Sequence, residues 1–162
     1  MSLFPSKLGF GVSGALGTPL VSQSQTSRLI ESAYEGGIRV FDTAPAYGAG
    51  MAERRLGRAL HRLKIKDSFV ITKAGLMSSG LAKRVRNFDP RAIENSIMSS
   101  LERLGLEGVN ALSLHGPAPS ELSKELFDRL KALRSAGAFS YLGITGRGEE
   151  LEAGLALGPS IL

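Results

Sequence analysis

The sequence predicts an α/β fold in which short parallel strands alternate with amphipathic helices. Three observations predict it. Four apolar runs each end on a polar residue: "IRVFDT" at Asp42, "SFVITK" at Lys73, "VNALSLH" at His115 and "FSYLGIT" at Thr145. Those ends lie 31, 42 and 30 positions apart, the length of a strand–helix–strand crossover, about 30 residues or more, rather than of a hairpin. Between the runs, leucine, isoleucine and alanine recur at helical spacing and stop at glycine.

The elements follow in order. "LGFGVSG", residues 8–14, reads as a first strand. Its Gly9, Gly11 and Gly14 fit the G-x-G-x-x-G pattern of dinucleotide-binding turns. That pattern needs a helix directly after it, with its N-terminus at the pyrophosphate. Here Gly17, Thr18 and Pro19 interrupt and the helix is expected near Thr26, so the pattern is set aside. "TSRLIESAYEGG" puts Leu29, Ile30, Ala33 and Tyr34 on one stripe and stops at Gly36 and Gly37. Tyr34, like Tyr141 in the fifth run, is expected in the core. "MAERRLGRALHRL" groups Leu56, Ala59, Leu60 and Leu63. "DPRAIENSIMSSLERLG" opens with Asp89 as N-cap and Pro90 in the first helical position, turns Ile93, Ile97, Leu101 and Leu104 inward, and ends at Gly105. "SELSKELFDRLKALRSAG" carries Leu122, Leu126, Leu130 and Leu133 to a stop at Gly137, and a fifth helix runs through "GEELEAGLALG".

An open doubly wound sheet and a closed barrel share this pattern. The polar strand ends favour the barrel, because there strand C-termini converge on one mouth and Asp42, Lys73, His115 and Thr145 meet. The expected fold is therefore of the (β/α)8 TIM-barrel type, truncated to about five βα units plus the start of strand six in the final "SIL", as one incomplete domain over residues 1–162. Such an arrangement leaves an unpaired parallel edge, through which self-association is expected.

Composition limits the function classes. Apolar residues make up 43% of the chain, enough for a packed core. With no cysteine and only His61 and His115, a disulfide framework and a metal site are not expected. No signal peptide is read in "MSLFPSKLGFGVSG", and no window reaches 18 apolar residues, so a cytoplasmic protein without a membrane span is expected. Much of the net charge of +5 lies in "ERRLGRALHRLKIK". Arg54, Arg58 and Arg62 are spaced by four on one helix face, with no interleaved aromatics, and His61 lies among them. This reads as a solvated helix face and not a nucleic-acid patch.

The chemistry starts at "RVFDTAPAYG", where a strand stops on Asp42 and a tyrosine follows at Tyr47. A phenol is a poor acid at neutral pH, but an ammonium beside it favours the phenolate. Lys73 can supply that ammonium, Asp42 can hold it charged and aimed, and His115 can orient a substrate carbonyl. Tyr47 then protonates a carbonyl oxygen as hydride reaches the carbon, or removes the proton in the reverse direction. The hydride requires a nicotinamide or flavin cofactor.

On these segments the chain resembles the aldo-keto reductase family. "LGFGVSG" matches its first barrel strand, "GIRVFDTAPAYGAGMAERRLGRAL" its aspartate-and-tyrosine segment, "FVITKAG" its lysine strand, "VNALSLHGP" its histidine strand and "LGITGRG" its fifth strand. The wording is most similar to the bacterial aldose and galactose dehydrogenase branch. The resemblance implies hydride transfer between NADP(H) or NAD(H) and an aldehyde, ketone or sugar. It implies Tyr47 as general acid/base, Lys73 and Asp42 as its supporting pair, and His115 over the carbonyl. It also implies cofactor contacts at Gly11, Asp42 and Thr145. Where the family commonly has Ser-Asn at the end of strand five, this chain has Thr145-Gly146, and Asn110 stands where aspartate is frequent. The family's remaining cofactor contacts come from strands six to eight, so the chain alone, as a truncated product, is expected to have little activity. Two rivals stand beside this reading. One is a non-catalytic reductase-like binding module, as in potassium-channel β subunits. The other is a barrel lyase using Lys73 as a Schiff-base amine.

Overall fold

In the computed structural model, which describes residues 3–79 and 83–156, the apolar runs pair as parallel strands. They are β1 (Gly9–Gly11), β2 (Val40–Asp42), β3 (Phe69–Ala74), β6 (Val109–His115) and β7 (Phe139–Thr145). The sheet order is β1-β2-β3-β6-β7 and every pair is parallel. Neighbours in the sheet are thus successive parallel strands of the chain. A doubly wound sheet reverses its order at a switch point; this one does not, as in a barrel wall. The fold is a partial barrel of the (β/α) type. The "SIL" segment expected to open a sixth strand lies outside the described residues.

The crossovers are α1 (Gln23–Glu35), α2 (Met51–Arg62), α3 (Pro90–Leu104) and α4 (Lys124–Ser135), with α5 (Glu149–Ala156) after the last strand. Strand periodicity sends alternate residues to opposite faces. Val70, Ala74, Leu112, Leu114 and Leu142 join Leu56, Leu60, Ile93, Ile97, Leu126 and Leu130 in one buried cluster between sheet and helices. α3 is bounded as its sequence predicts: the Asp89 carboxylate accepts from the Arg91 and Ala92 N–H groups, Pro90 is the first helical residue, and Gly105 closes the helix in the left-handed conformation. α2 and α3 approach closely at Gly57, where a Cβ would strike the Leu104 carbonyl.

The structure corrects several expectations. α1 begins at Gln23 and not near Thr26, because Ser22 and Gln25 form a capping box that accounts for two otherwise orphaned N–H groups. Its buried residues are Thr26, Ser27 and Ile30, while Leu29 points to solvent. The long gap between Lys73 and His115 contains more than a crossover: β4 (Leu76–Ser79) and β5 (Lys83–Arg86) pair as an antiparallel hairpin ahead of α3. Tyr141 is not core. It is 39% exposed on the inner face of the sheet, stacked on Phe69 at 6.1 Å. Tyr34 is partly buried, its hydroxyl donating to Asp67 and its ring covered by Arg39.

Candidate active site

The inner face of the sheet carries the polar strand ends. Asp42 closes β2, Lys73 lies one residue before the end of β3, and His115 and Thr145 close β6 and β7. Parallel pairing brings these C-termini to one edge, with Lys73 beside Ser113 and His115 beside Thr145 in register.

Lys73 is held by three hydrogen bonds. Its Nζ donates to both Asp42 oxygens at 2.6 and 2.7 Å and to the Thr43 carbonyl at 2.9 Å. All three neighbours are acceptors, which matches an ammonium with three protons to donate. The pair is unequal: the lysine side chain is 5% exposed and the aspartate 37%. Thr43 in turn ties the strand ends together, its N–H donating to the Ile71 carbonyl and its hydroxyl to the Val12 carbonyl.

Tyr47 sits in the loop between β2 and α2. A turn from the Ala44 carbonyl to the Tyr47 N–H bends the chain after Pro45. Gly48 follows with φ of 63°, and its Cα packs on the 3₁₀ turn Gly14–Gly17, so a Cβ there would run into the Gly17 carbonyl. That contact sets the depth of the tyrosine. The Lys73 Nζ lies 5.2 Å from the Tyr47 ring centroid, and the His115 ring lies 6.3 Å away from it, edge to face. The structure therefore brings Asp42, Tyr47, Lys73 and His115 around one opening.

His115 has its Nδ1 buried with no hydrogen-bond partner among the described residues. Burial lowers its pKa, and the Lys73 ammonium and Arg84 guanidinium add to that, while Asp42 and Glu150 oppose it. A neutral imidazole keeps one N–H to donate and one nitrogen to accept. The shift also has a sign for stability. The unfolded imidazole titrates near 6.5 and the folded one below that, so the unfolded state takes up protons first as pH falls. The contribution is fully present above pH 6.5 and is lost below it, toward the folded value. We expect His115→Gln to flatten the decline in stability as pH falls through this window, measured as urea midpoints from about pH 8 to about pH 5.

The positions matched to cofactor contacts divide. Gly11 closes β1 beside Asp42 in register, with no crowding around it beyond Ser13. Thr145 is exposed, and its hydroxyl lies 2.6 Å from the Ser113 hydroxyl. Asn110 supports the opposite end of the sheet: its side-chain carbonyl accepts from the Val70 N–H at 2.8 Å. Among the described residues, no group of three or more metal-ligating side chains comes together, and no helix is long and apolar enough to cross a membrane.

Several supporting residues escaped sequence reasoning. Glu53 is fully buried, although it opens a charged run. Its carboxylate accepts from the Thr72 hydroxyl at 2.7 Å and from Arg103 Nε at 2.6 Å, joining α2, β3 and α3 directly behind Lys73. Arg55 is buried too, donating to the Leu16 and Thr18 carbonyls and so holding the turn on which Gly48 rests. Arg54, Arg58, His61 and Arg62 face solvent. The signal that separates these residues was present: Glu53 shares the helical stripe of Leu56, Gly57 and Leu60, whereas Arg54, Arg58 and Arg62 do not.

The profile of the Aldo/keto reductase family matches residues 7–151. The D-threo-aldose 1-dehydrogenase of a Pseudomonas species is 36% identical over 147 residues, covering 76% of this chain and 44% of that protein. The L-galactose dehydrogenase of Arabidopsis thaliana is 32% identical over 148 residues, covering 87% and 44%. Among solved structures, an aldo-keto reductase from Bacillus halodurans in its holo form superposes with a TM-score of 0.77 at 26% identity, covering 86% of this chain and 46% of the other. The glycerol dehydrogenase of Gluconobacter oxydans superposes with a TM-score of 0.76 at 28% identity, covering 93% and 48%. The chain spans less than half the length of each of these relatives.

Proposed function

The chain belongs to the aldo/keto reductase family, and from that premise we propose that it interconverts a small carbonyl compound or sugar with its alcohol or lactone, using NADP(H) or NAD(H). The observation that carries the reading is the Lys73 ammonium. It is gripped by Asp42 and Thr43 on one side and stands beside the Tyr47 ring on the other. A charged lysine next to a phenol favours the phenolate when the tyrosine gives up its proton. Asp42 keeps the amine in place through that exchange. Tyr47 delivers a proton to the carbonyl oxygen in reduction and takes it from the alcohol in oxidation. His115, across the opening, donates its N–H to the same oxygen and aligns it.

The residues at the strand ends fit one end of the cofactor. The exposed Thr145 hydroxyl, backed by Ser113, can hydrogen-bond a carboxamide, and the uncrowded Gly11 leaves room for a ribose. When bound, the nicotinamide supplies or accepts the hydride. The sugar end of the substrate range is favoured by the relatives named as aldose and galactose dehydrogenases.

A Schiff-base lyase is less well supported, because that chemistry needs a free amine and Nζ is surrounded by three acceptors. The test is carbonyl-dependent NADPH oxidation, by the chain alone and by the chain joined to the C-terminal half of a full-length relative. Tyr47→Phe is expected to lower the rate about 10²–10⁴-fold. No turnover in either form would leave the non-catalytic binding module.

A further inference from the structure

Beside the mouth, a cleft of about 460 Å³ opens between the β4–β5 hairpin and the start of α5. Leu76, Arg84, Arg86, His115, Arg147 and Glu150 line it. Two of its three arginines have no ion pair among the described residues. Arg86 pairs with Glu121 at 3.0 Å and Glu150 at 3.6 Å. Glu150 also accepts from the Arg147 backbone N–H at 2.9 Å, so its charge is already answered. Neither the Arg84 nor the Arg147 guanidinium pairs with a carboxylate among the described residues. We propose that Arg84 and Arg147 form an anion subsite next to His115, and that the substrate is a carbonyl compound carrying a carboxylate or phosphate. The claim rests on the carbonyl reading of the site and narrows its substrate class.

The chemistry of the cleft favours this occupant. Guanidinium groups present planar forks of N–H donors that match carboxylate and phosphate oxygens. An excess of positive charge in a concave site draws anions. The Arg84 charge reaches the imidazole, which it helps to keep neutral. A substrate whose carbonyl oxygen rests on His115 therefore has a cation within reach of its next polar group. Leu76 adds an apolar side chain to the lining, against which a short carbon chain can rest. Arg84 lies exposed on the hairpin and has no carboxylate partner among the described residues, so its replacement tests recognition rather than folding.

The experiment is a titration of the chain followed by the His115 ring resonances in NMR spectra. The probes are D-glucuronate, D-glucose 6-phosphate and neutral D-glucose. At least one acidic probe is expected to bind about tenfold or more tightly than glucose. A carboxylate or a phosphate substrate is distinguished by which of the two saturates first. Arg84→Gln, and separately Arg147→Gln, are expected to shrink that preference about tenfold. Arg134→Gln removes the same charge at the far end of α4 and is expected to keep it. Equal affinity for all three probes, or equal effects of Arg84→Gln and Arg134→Gln, overturns the subsite. The two readings fail separately. Turnover of glucose that Tyr47→Phe abolishes, with no preference for acids, removes the subsite and leaves the redox chemistry. Acid binding that depends on Arg84 without any turnover keeps the subsite and removes the redox chemistry.

Discussion

Glu53→Ala is expected to lower the free energy of unfolding by about 3–5 kcal/mol, the cost of breaking a buried ion pair by removing one partner. The carboxylate is fully buried and has two partners on two other elements, Thr72 on β3 and Arg103 on α3. Alanine strands the Thr72 hydroxyl, leaves the Arg103 guanidinium with the Ser100 hydroxyl in place of a carboxylate, and opens a cavity beneath β3. A typical domain has only about 5–15 kcal/mol of stability, so the alanine variant loses a large share of it. The double variant Glu53→Met with Arg103→Met separates charge from packing. It removes both charges and keeps most of the volume, and is expected to recover most of the loss, as buried pairs replaced by apolar residues often do. Urea unfolding of the three proteins measures this. A Glu53→Ala loss under about 1 kcal/mol would mean that the pair contributes no more than a surface one.

The Lys73–Asp42 pair is expected to be asymmetric in stability and symmetric in activity. Asp42→Asn leaves a buried ammonium whose best acceptor has lost its charge, with the Thr43 carbonyl remaining. The expected loss is about 3 kcal/mol, the low end for breaking a buried pair. Lys73→Met leaves behind a carboxylate 37% exposed. Water can solvate it, so the expected loss is about 1 kcal/mol or less. The proposed reaction draws no such distinction, because Lys73→Met removes the positive charge beside Tyr47 and Asp42→Asn leaves that charge without the carboxylate that aims it. Both variants are expected to lose about 10²–10⁴-fold in carbonyl turnover. Denaturation and NADPH oxidation measured on the same preparations test the two halves. Equal destabilisation by the two substitutions would show that exposure does not set the cost.

Much of the fold was legible because its signals are local. The Asp89–Pro90 start and Gly105 stop of α3, and the full lengths of β6 and β7, follow from capping chemistry and apolar runs over a few residues. The β4–β5 hairpin was not legible. "LMSS" and "KRVR" have little alternation and few apolar side chains, so no period marks them as strands, and only the extra length of the gap hinted at added structure. Leu29 and Tyr141 were misjudged for a different reason. An apolar residue on a helix or strand has two faces to choose from, and the choice depends on what tertiary structure covers. The four polar groups at the mouth could be named from strand ends alone, since parallel strands share one C-terminal edge. Arg55 could not be, and Glu53 only from its place on the stripe of Leu56, Gly57 and Leu60, because a charge run reads as solvated until the helix is rotated against its neighbours.

The sheet order has a consequence for how the protein is made. Because each parallel strand docks on the one synthesised just before it, every pairing closes a loop of modest length and none waits for a distant segment. Chains emerge from the ribosome N-terminus first. The acid, phenol, amine and imidazole can therefore be assembled once β6 has cleared the exit tunnel, before β7 and α5 have emerged to pack beside them.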